Sequence, residues 1–454
     1  MSGNSSQNSA PTGAQGEGLS AGKKPLGPVQ SPDRIKVIDV LRGAALLGIL
    51  VINIDFFALP SVVLFNPTVA GGFTGLELLA WKFSTVFFLE KMMALFSMLF
   101  GAGLILMYDR AVKAGRKLGG IYYRRMLWLA LIGAAHAYLL WFGDILFSYA
   151  IAGLVIFLFR KRSARTLIIV GCFVLIFGAL LKTGAGFATG LLKSQAEGVE
   201  KILSAGGAIT PDQQGILDAW HQTSEYFYPE PETLAEEIAA YRGSYAEAFA
   251  FRLPMTIMMQ TQALVFMVLW RVLGLMLIGM GLLKMNFLSG ERSRKFYVVW
   301  IIVGYGLGLP LCIWGMTSLI DHQFDIIRHL TVDSHFNYMG SVLMAVGNIG
   351  IIVLVYQAGG LKRLTERLAA VGQMALTNYL LHSIIATTIF YGYGLGLFGQ
   401  VGRFSLWGFT LGIWVLQIWL SPIWLRHFRF GPAEWLWRSL TYWKIQPMRL
   451  PGPN

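Results

Sequence analysis

Apolar runs separated by short polar intervals dominate residues 34–428. Several exceed the roughly 20 residues that an α-helix needs to cross a hydrocarbon core, and no soluble core needs so many. Ten runs read as membrane helices, near 36–58, 84–107, 123–142, 144–160, 164–187, 254–284, 296–320, 338–358, 371–391 and 404–425. The expected fold is all-α: a polytopic integral membrane bundle of about ten transmembrane helices.

Charge orders these runs. Arg110, Lys113, Arg116, Lys117, Arg124 and Arg125 follow the second run, and Arg160, Lys161, Arg162 and Arg165 follow the fourth. Arg292, Arg294 and Lys295, then Lys362, Arg363 and Arg367, then Arg426, Arg429 and Arg438 continue the alternation. Basic loops stay on the cytoplasmic side, so both termini are expected to be cytoplasmic. Five segments follow: a disordered cytoplasmic tail at 1–33, helices one to five at 34–190, an extracytoplasmic acidic loop region at 191–252, helices six to ten at 253–428, and a cytoplasmic interfacial helix and tail at 429–454. The acidic region carries Glu225, Glu230, Glu236 and Glu237 among others and reads as short helices capping the bundle.

Composition agrees: 55% of residues are hydrophobic and only 13% charged, which excludes a large soluble domain. The net charge of +13 is accounted for by the cytoplasmic loops, so nucleic acid is not an implied partner. The implied partner is the lipid bilayer, and the expected location is a bacterial inner (plasma) membrane, crossed many times. Cys172 and Cys312 both fall inside predicted spans, which supports neither a disulfide nor a thiolate metal site.

The first span carries Asp39, Arg42, Asn53 and Asp55 in an otherwise apolar helix. Ionisable groups at hydrocarbon depth are costly and mark functional sites, with a partner to be named. Asp39 and Arg42 are close enough in sequence to be partners. Arg42 and Asn53, eleven residues apart, return to nearly the same face, roughly 16 Å further along the axis. A polar stripe therefore runs through this helix.

His136 in the third span is the candidate general base. A short turn brings Asp144 near it, and a carboxylate partner sets the tautomer that a base requires. Arg271 in the sixth span needs an anion, which is either a carboxylate such as Asp39 or Glu90, or a ligand phosphate or carboxylate. Gln260, Gln262, Thr377, Asn378 and His382 also interrupt apolar runs; interhelical hydrogen bonds account for such residues. His322, Asp325, His329 and His335 match no metal-binding spacing, and no metal is expected. Gly394, Gly396 and Gly399 spell a glycine fingerprint but follow no strand, so they are packing or turn residues. Residues 431–444 begin with Gly-Pro, pair Glu434 with Arg438 and hold three tryptophans, as an interfacial amphipathic helix does. Read alone, these residues fit an enzyme, or a transporter or permease for a small anionic solute with the polar groups lining its path.

The stretches IDVLRGAALLGILVINI, FSMLFGAG, WFGDILFSYAIAG, GQMALTNYLLHS and FRFGPAEWLWRSLTYW, spread over 34–444, resemble the YeiB-like membrane proteins, whose domain is of unknown function. That family is similar in turn to the transmembrane acyltransferase superfamily, which includes the acyltransferase-3 proteins and the heparan glucosaminide acetyltransferases. The resemblance implies transfer of an acyl group from cytoplasmic acyl-CoA, or acetyl-CoA, as co-substrate to an extracytoplasmic or membrane acceptor: a glycan, a lipid or a small molecule. A monomer or homodimer is expected. Acyltransferase-3 proteins carry Arg and His eleven residues apart in the first helix, and the matching positions here are Arg42 and Asn53. Asn cannot act as a base, so the role falls to His136, held by Asp144. Asn53 is then expected to orient a reacting group, and Arg42, with Asp39 and Arg271, to meet the anionic donor.

Overall fold

The computed structural model describes residues 35–450; the tail expected at 1–33 lies outside them. Seventeen α-helices make up the described residues, joined by short loops and by 3₁₀ and π turns, with one isolated antiparallel bridge between Phe428 and Arg449. They are α1 (Lys36–Ala58), α2 (Gly75–Phe87), α3 (Lys91–Lys113), α4 (Gly119–Leu139), α5 (Leu146–Ile156), α6 (Ala164–Ser204), α7 (Pro211–Phe227), α8 (Pro231–Arg242) and α9 (Tyr245–Gln260). The second half holds α10 (Leu269–Lys284), α11 (Arg294–Asp321), α12 (Ile326–Arg328), α13 (Ser334–Ala358), α14 (Lys362–Gln373), α15 (Ala375–Phe390), α16 (Arg403–His427) and α17 (Pro432–Tyr442).

Every apolar run is helical. Seven helical stretches are long and apolar enough to cross a bilayer, and eight if α14 and α15, bent by 82°, count as one broken span. The two other expected spans are α4, diluted by Arg124, Arg125 and His136, and the short apolar α5. The protein is a multi-pass membrane protein: bulky apolar side chains such as Phe173, Leu180, Phe187, Trp314 and Val415 point outward, where only lipid would welcome them.

Glycines set the closest helix crossings. A Cβ on Gly43 would overlap the Leu368 carbonyl, and one on Gly372 would overlap the Asp39 carbonyl, so α1 and α14 meet backbone to backbone. Gly101 and Gly279 do the same for α3 and α10, against Met276 and Met98. Small residues allow the close packing that drives association where lipid is as apolar as the side chains.

α6 runs for 41 residues, about 60 Å, roughly twice the hydrocarbon thickness. It carries the chain out of the bundle to α7 and α8. These pack back over the loops: Glu237 accepts from the Ser61 N–H at 2.8 Å, Tyr228 accepts from the Ile326 N–H at 2.9 Å, and Arg242 donates to the Phe398 carbonyl at 2.8 Å. Trp141, Tyr241, Tyr391 and Phe398 share one apolar cluster beneath this cap.

The break between α14 and α15 places buried Glu434 of α17 at the start of α15. Its carboxylate accepts from the Leu376 N–H at 2.6 Å, the Thr377 N–H at 3.1 Å and the Thr377 hydroxyl at 2.5 Å. Those are the donors a helix start leaves unpaired, and the negative charge meets the positive end of the helix dipole. The amphipathic α17 is thereby tied into the bundle.

Candidate functional site

Two features built by distant parts of the chain meet at α15: a cavity with a basic end, and a buried hydrogen-bonded chain through His136.

The cavity has a volume of about 770 Å³ and is walled by α1, α3, α4, α5, α14, α15 and α17. On α1 its wall is Ile38, Asp39, Arg42, Leu46 and Ile49, one stripe at helical spacing. One part of the wall holds Arg42, Arg110, Lys113, Arg125 and Arg438, with Asp39, Asp109 and Glu434. Phe96, Leu99, Phe100, Met126 and Leu129 form an apolar stretch, and Ile145, Tyr149 and Tyr379 line it as well. Arg125 lies 3.6 Å over the Trp437 ring, whose N–H donates to the Arg125 carbonyl at 2.9 Å; this clamps α4 to α17.

His136, near the end of α4, is buried, and so are its partners. Nδ1 lies 2.7 Å from Asp144 Oδ2 and Nε2 lies 2.7 Å from Ser383 Oγ. The other oxygen of Asp144 accepts from the Phe147 N–H at 2.8 Å, so the carboxylate caps the chain entering α5. A carboxylate only accepts; it therefore holds the proton on Nδ1 and leaves Nε2 to accept from the Ser383 hydroxyl. The Tyr379 ring sits 5.1 Å from the His136 ring, and its hydroxyl accepts from the Ile145 N–H at 3.3 Å. Tyr379 is thus shared by the cavity wall and the His136 group, while His136, Asp144 and Ser383 stand behind that wall.

The expected Asp39–Arg42 pair forms, at 2.9 Å, with Arg42 leaving 26% of its side chain exposed on the cavity side. The expected His136–Asp144 pair forms as well. Asn53 follows Ile49 on the same stripe of α1, one turn beyond the cavity wall, and its side chain has no hydrogen-bond partner among the described residues. Asp55 pairs with Arg403 at 3.5 Å.

Arg271 belongs elsewhere, which corrects its expected place in the donor site. Its guanidinium meets Glu90 at 3.1 Å, the Ser341 hydroxyl at 2.6 Å and the Tyr338 carbonyl at 3.1 Å, and lies 4.2 Å over the Tyr338 ring. Of the alternatives for its anion, the structure realises Glu90. Lys91 and Asn337 extend this second polar cluster, with 2.5 Å between Lys91 Nζ and Asn337 Oδ1. His382 contacts Gln417 at 2.8 Å rather than the His136 group. Among the described residues, no three His, Cys, Asp or Glu side chains converge as a metal would require.

Sequence reasoning passed over Ser383 and Tyr379. They are four residues apart on one face of α15, a repeat that was available as a signal, but nothing local links Ser383 to a histidine 247 positions away.

The architecture is that of a multi-pass membrane protein, and residues 282–444 match the family described as "Protein of unknown function (DUF418)". The chain is 29% identical over 439 residues to Uncharacterized protein YxaH of Bacillus subtilis (strain 168), covering 93% of this chain and 98% of that one. It is also 29% identical over 427 residues to Uncharacterized protein YeiB of Escherichia coli (strain K12), with 93% and 98% covered. An uncharacterized 39.9 kDa protein of Bacillus acidopullulyticus is 26% identical over 426 residues, covering 94% and 99%. The C-terminal part of the chain is thus similar to the DUF418 family, and nearly its whole length is similar to YxaH and YeiB. No solved structure matches it.

Proposed function

We propose that this protein is a transmembrane acyltransferase. It would move an acyl group from acyl-CoA or acetyl-CoA, supplied at the cytoplasmic face, to a glycan, lipid or small-molecule acceptor in or beyond the membrane. One observation carries the reading: a cavity of about 770 Å³ is basic along one part and includes Tyr379, which touches the ring of a histidine held by a carboxylate. That volume lies within the roughly 300–1,000 Å³ range of small-molecule and cofactor sites.

The residues divide the work. Arginines match phosphate geometry, so Arg42, braced by Asp39, and Arg438 would bind the anionic part of the donor. The apolar stretch receives the acyl chain. His136, its tautomer held by Asp144, takes the proton of the attacking hydroxyl or amine at Nε2. Asn53, beyond the wall on the same stripe, orients the reacting group. The bacterial relatives favour a bacterial inner membrane as the location.

The test is transfer of label from acyl-CoA, added to the Arg42 side of proteoliposomes, to membrane or opposite-face acceptors. Wild type should transfer label, and His136→Gln should lose about 100-fold or more. Wild type that moves solute and transfers no label would overturn the proposal.

A further inference from the structure

The Ser383 hydroxyl is unusual for its place in a helix. Ser and Thr within helices commonly bond a carbonyl one turn back, as Thr388 on α15 does to Ile384 at 2.7 Å. Ser383 does not. Among the described residues its hydrogen bond goes across the bundle to His136 Nε2, at 2.7 Å, and it is 1% exposed. Ser383 comes from α15, and His136 and Asp144 from the end of α4 and the turn after it, the three linked in series by two 2.7 Å contacts. A hydroxyl, an imidazole and a carboxylate in that order are the arrangement that turns a serine into a nucleophile.

We infer that Ser383 is a catalytic nucleophile that carries the acyl group as a covalent ester between donor and acceptor. The inference deepens the acyltransferase reading and rests on it. In the first half, Ser383 Oγ attacks the thioester carbonyl carbon while His136 Nε2 takes the hydroxyl proton. The carbon–sulfur bond breaks, and the CoA sulfur leaves with that proton as the free thiol. In the second half, the acceptor hydroxyl or amine gives its proton to Nε2 and attacks the ester carbonyl. The bond to Ser383 Oγ breaks, and Oγ recovers the proton from His136. Atoms balance without an oxidant or reductant.

Tyr379 links this group to the cavity. It precedes Ser383 by one turn, about 5.4 Å along the same face, and lines the cavity. Its hydroxyl accepts from the Ile145 N–H, so its own proton is available to the developing oxyanion. A covalent intermediate also suits a single cavity, since CoA can depart before the acceptor binds.

Two measurements on the purified full chain in proteoliposomes separate the inference from the reading beneath it. A fluorophosphonate probe reports an activated serine whatever the natural donor, and it should label the Ser383 peptide in wild type and not in Ser383→Ala or His136→Gln. Radiolabelled acetyl-CoA without acceptor should release free CoA and leave label on the same peptide. Ser383→Ala should lose transfer by at least about 10³-fold, whereas Ser383→Cys, which keeps a nucleophile, should still take up label and report an intact fold. Transfer by Ser383→Ala within tenfold of wild type would overturn the nucleophile and leave the acyltransferase standing. Absence of acetyl-CoA turnover by wild type would count against the acyltransferase, and absence of fluorophosphonate labelling against Ser383.

Discussion

Asp144→Asn isolates the chemistry of the His136 group from its architecture. In the native protein, Oδ1 accepts from the Phe147 N–H at 2.8 Å and Oδ2 meets His136 Nδ1 at 2.7 Å. An asparagine can keep only one of these roles for each atom. Turned with its amide nitrogen toward Phe147, it would set donor against donor, so the carbonyl oxygen must stay there and the NH₂ must face Nδ1. Nδ1 then becomes an acceptor, the ring proton moves to Nε2, and the nitrogen facing Ser383 can no longer take a proton. The fold keeps the Phe147 bond, which limits the stability loss to about 1 kcal/mol. Activity falls far more: forcing the wrong tautomer in a serine–histidine–aspartate system costs up to about 10⁴-fold, with the loss in His136→Gln as its ceiling. At about 1.36 kcal/mol per decade, that is about 5 kcal/mol of barrier. The assay is single-turnover label transfer from acyl-CoA, with thermal unfolding measured in parallel. A variant that melts close to wild type and transfers within tenfold of it would refute the tautomer argument and the base role of His136 with it.

Three further outcomes follow from other parts of the molecule. Glu237 lies outside the membrane-spanning helices, and burial pushes its pKa from 4.5 up to about 7 against the opposing hydrogen bonds from Ser61. Because the folded value is the higher one, its contribution is fully present below pH 4.5 and is lost as pH rises through 7, about 3 kcal/mol in all; melting should be higher at pH 5 than at pH 8, and Glu237→Gln should flatten that difference. Gly372→Ala would drive a Cβ into the Asp39 carbonyl, so α1 and α14 must part. It should cost about 1–3 kcal/mol and weaken acyl-CoA binding through Arg42, checked by thermal unfolding and donor titration; unchanged values would refute the crossing. Glu434→Ala strips the start of α15 of three hydrogen bonds. The orphaned donors should cost about 1–3 kcal/mol, and α17 should become the first site of limited proteolysis.

The class of fold was legible residue by residue. Each apolar run became helical, although those at 84–107, 254–284 and 371–391 are broken within their length, and the first of them runs 36–58 in both sequence and structure. Pairs one or two turns apart were legible as well: Asp39 with Arg42, and His136 with Asp144 across a tight turn. Other features depended on neighbours far along the chain. The length of α6 reflects the cap it supports, and the sharp bend at Met374 has its partner in Glu434, some sixty residues later.

The candidate site divides the same way. The sequence by itself determined that this is a helical membrane protein, which helix carries the polar stripe, and which histidine has a carboxylate within reach, because those depend on helical period and on contacts a few residues apart. Only the tertiary structure decided that Arg271 meets Glu90 and that Ser383 faces His136. It also decided that Arg42 and Tyr379 share one cavity. The physical reason lies in the solvent: in lipid a helix is apolar nearly all round, so hydrophobicity does not mark which face meets which partner. That choice is left to close packing at glycines and to a few polar contacts between segments hundreds of residues apart.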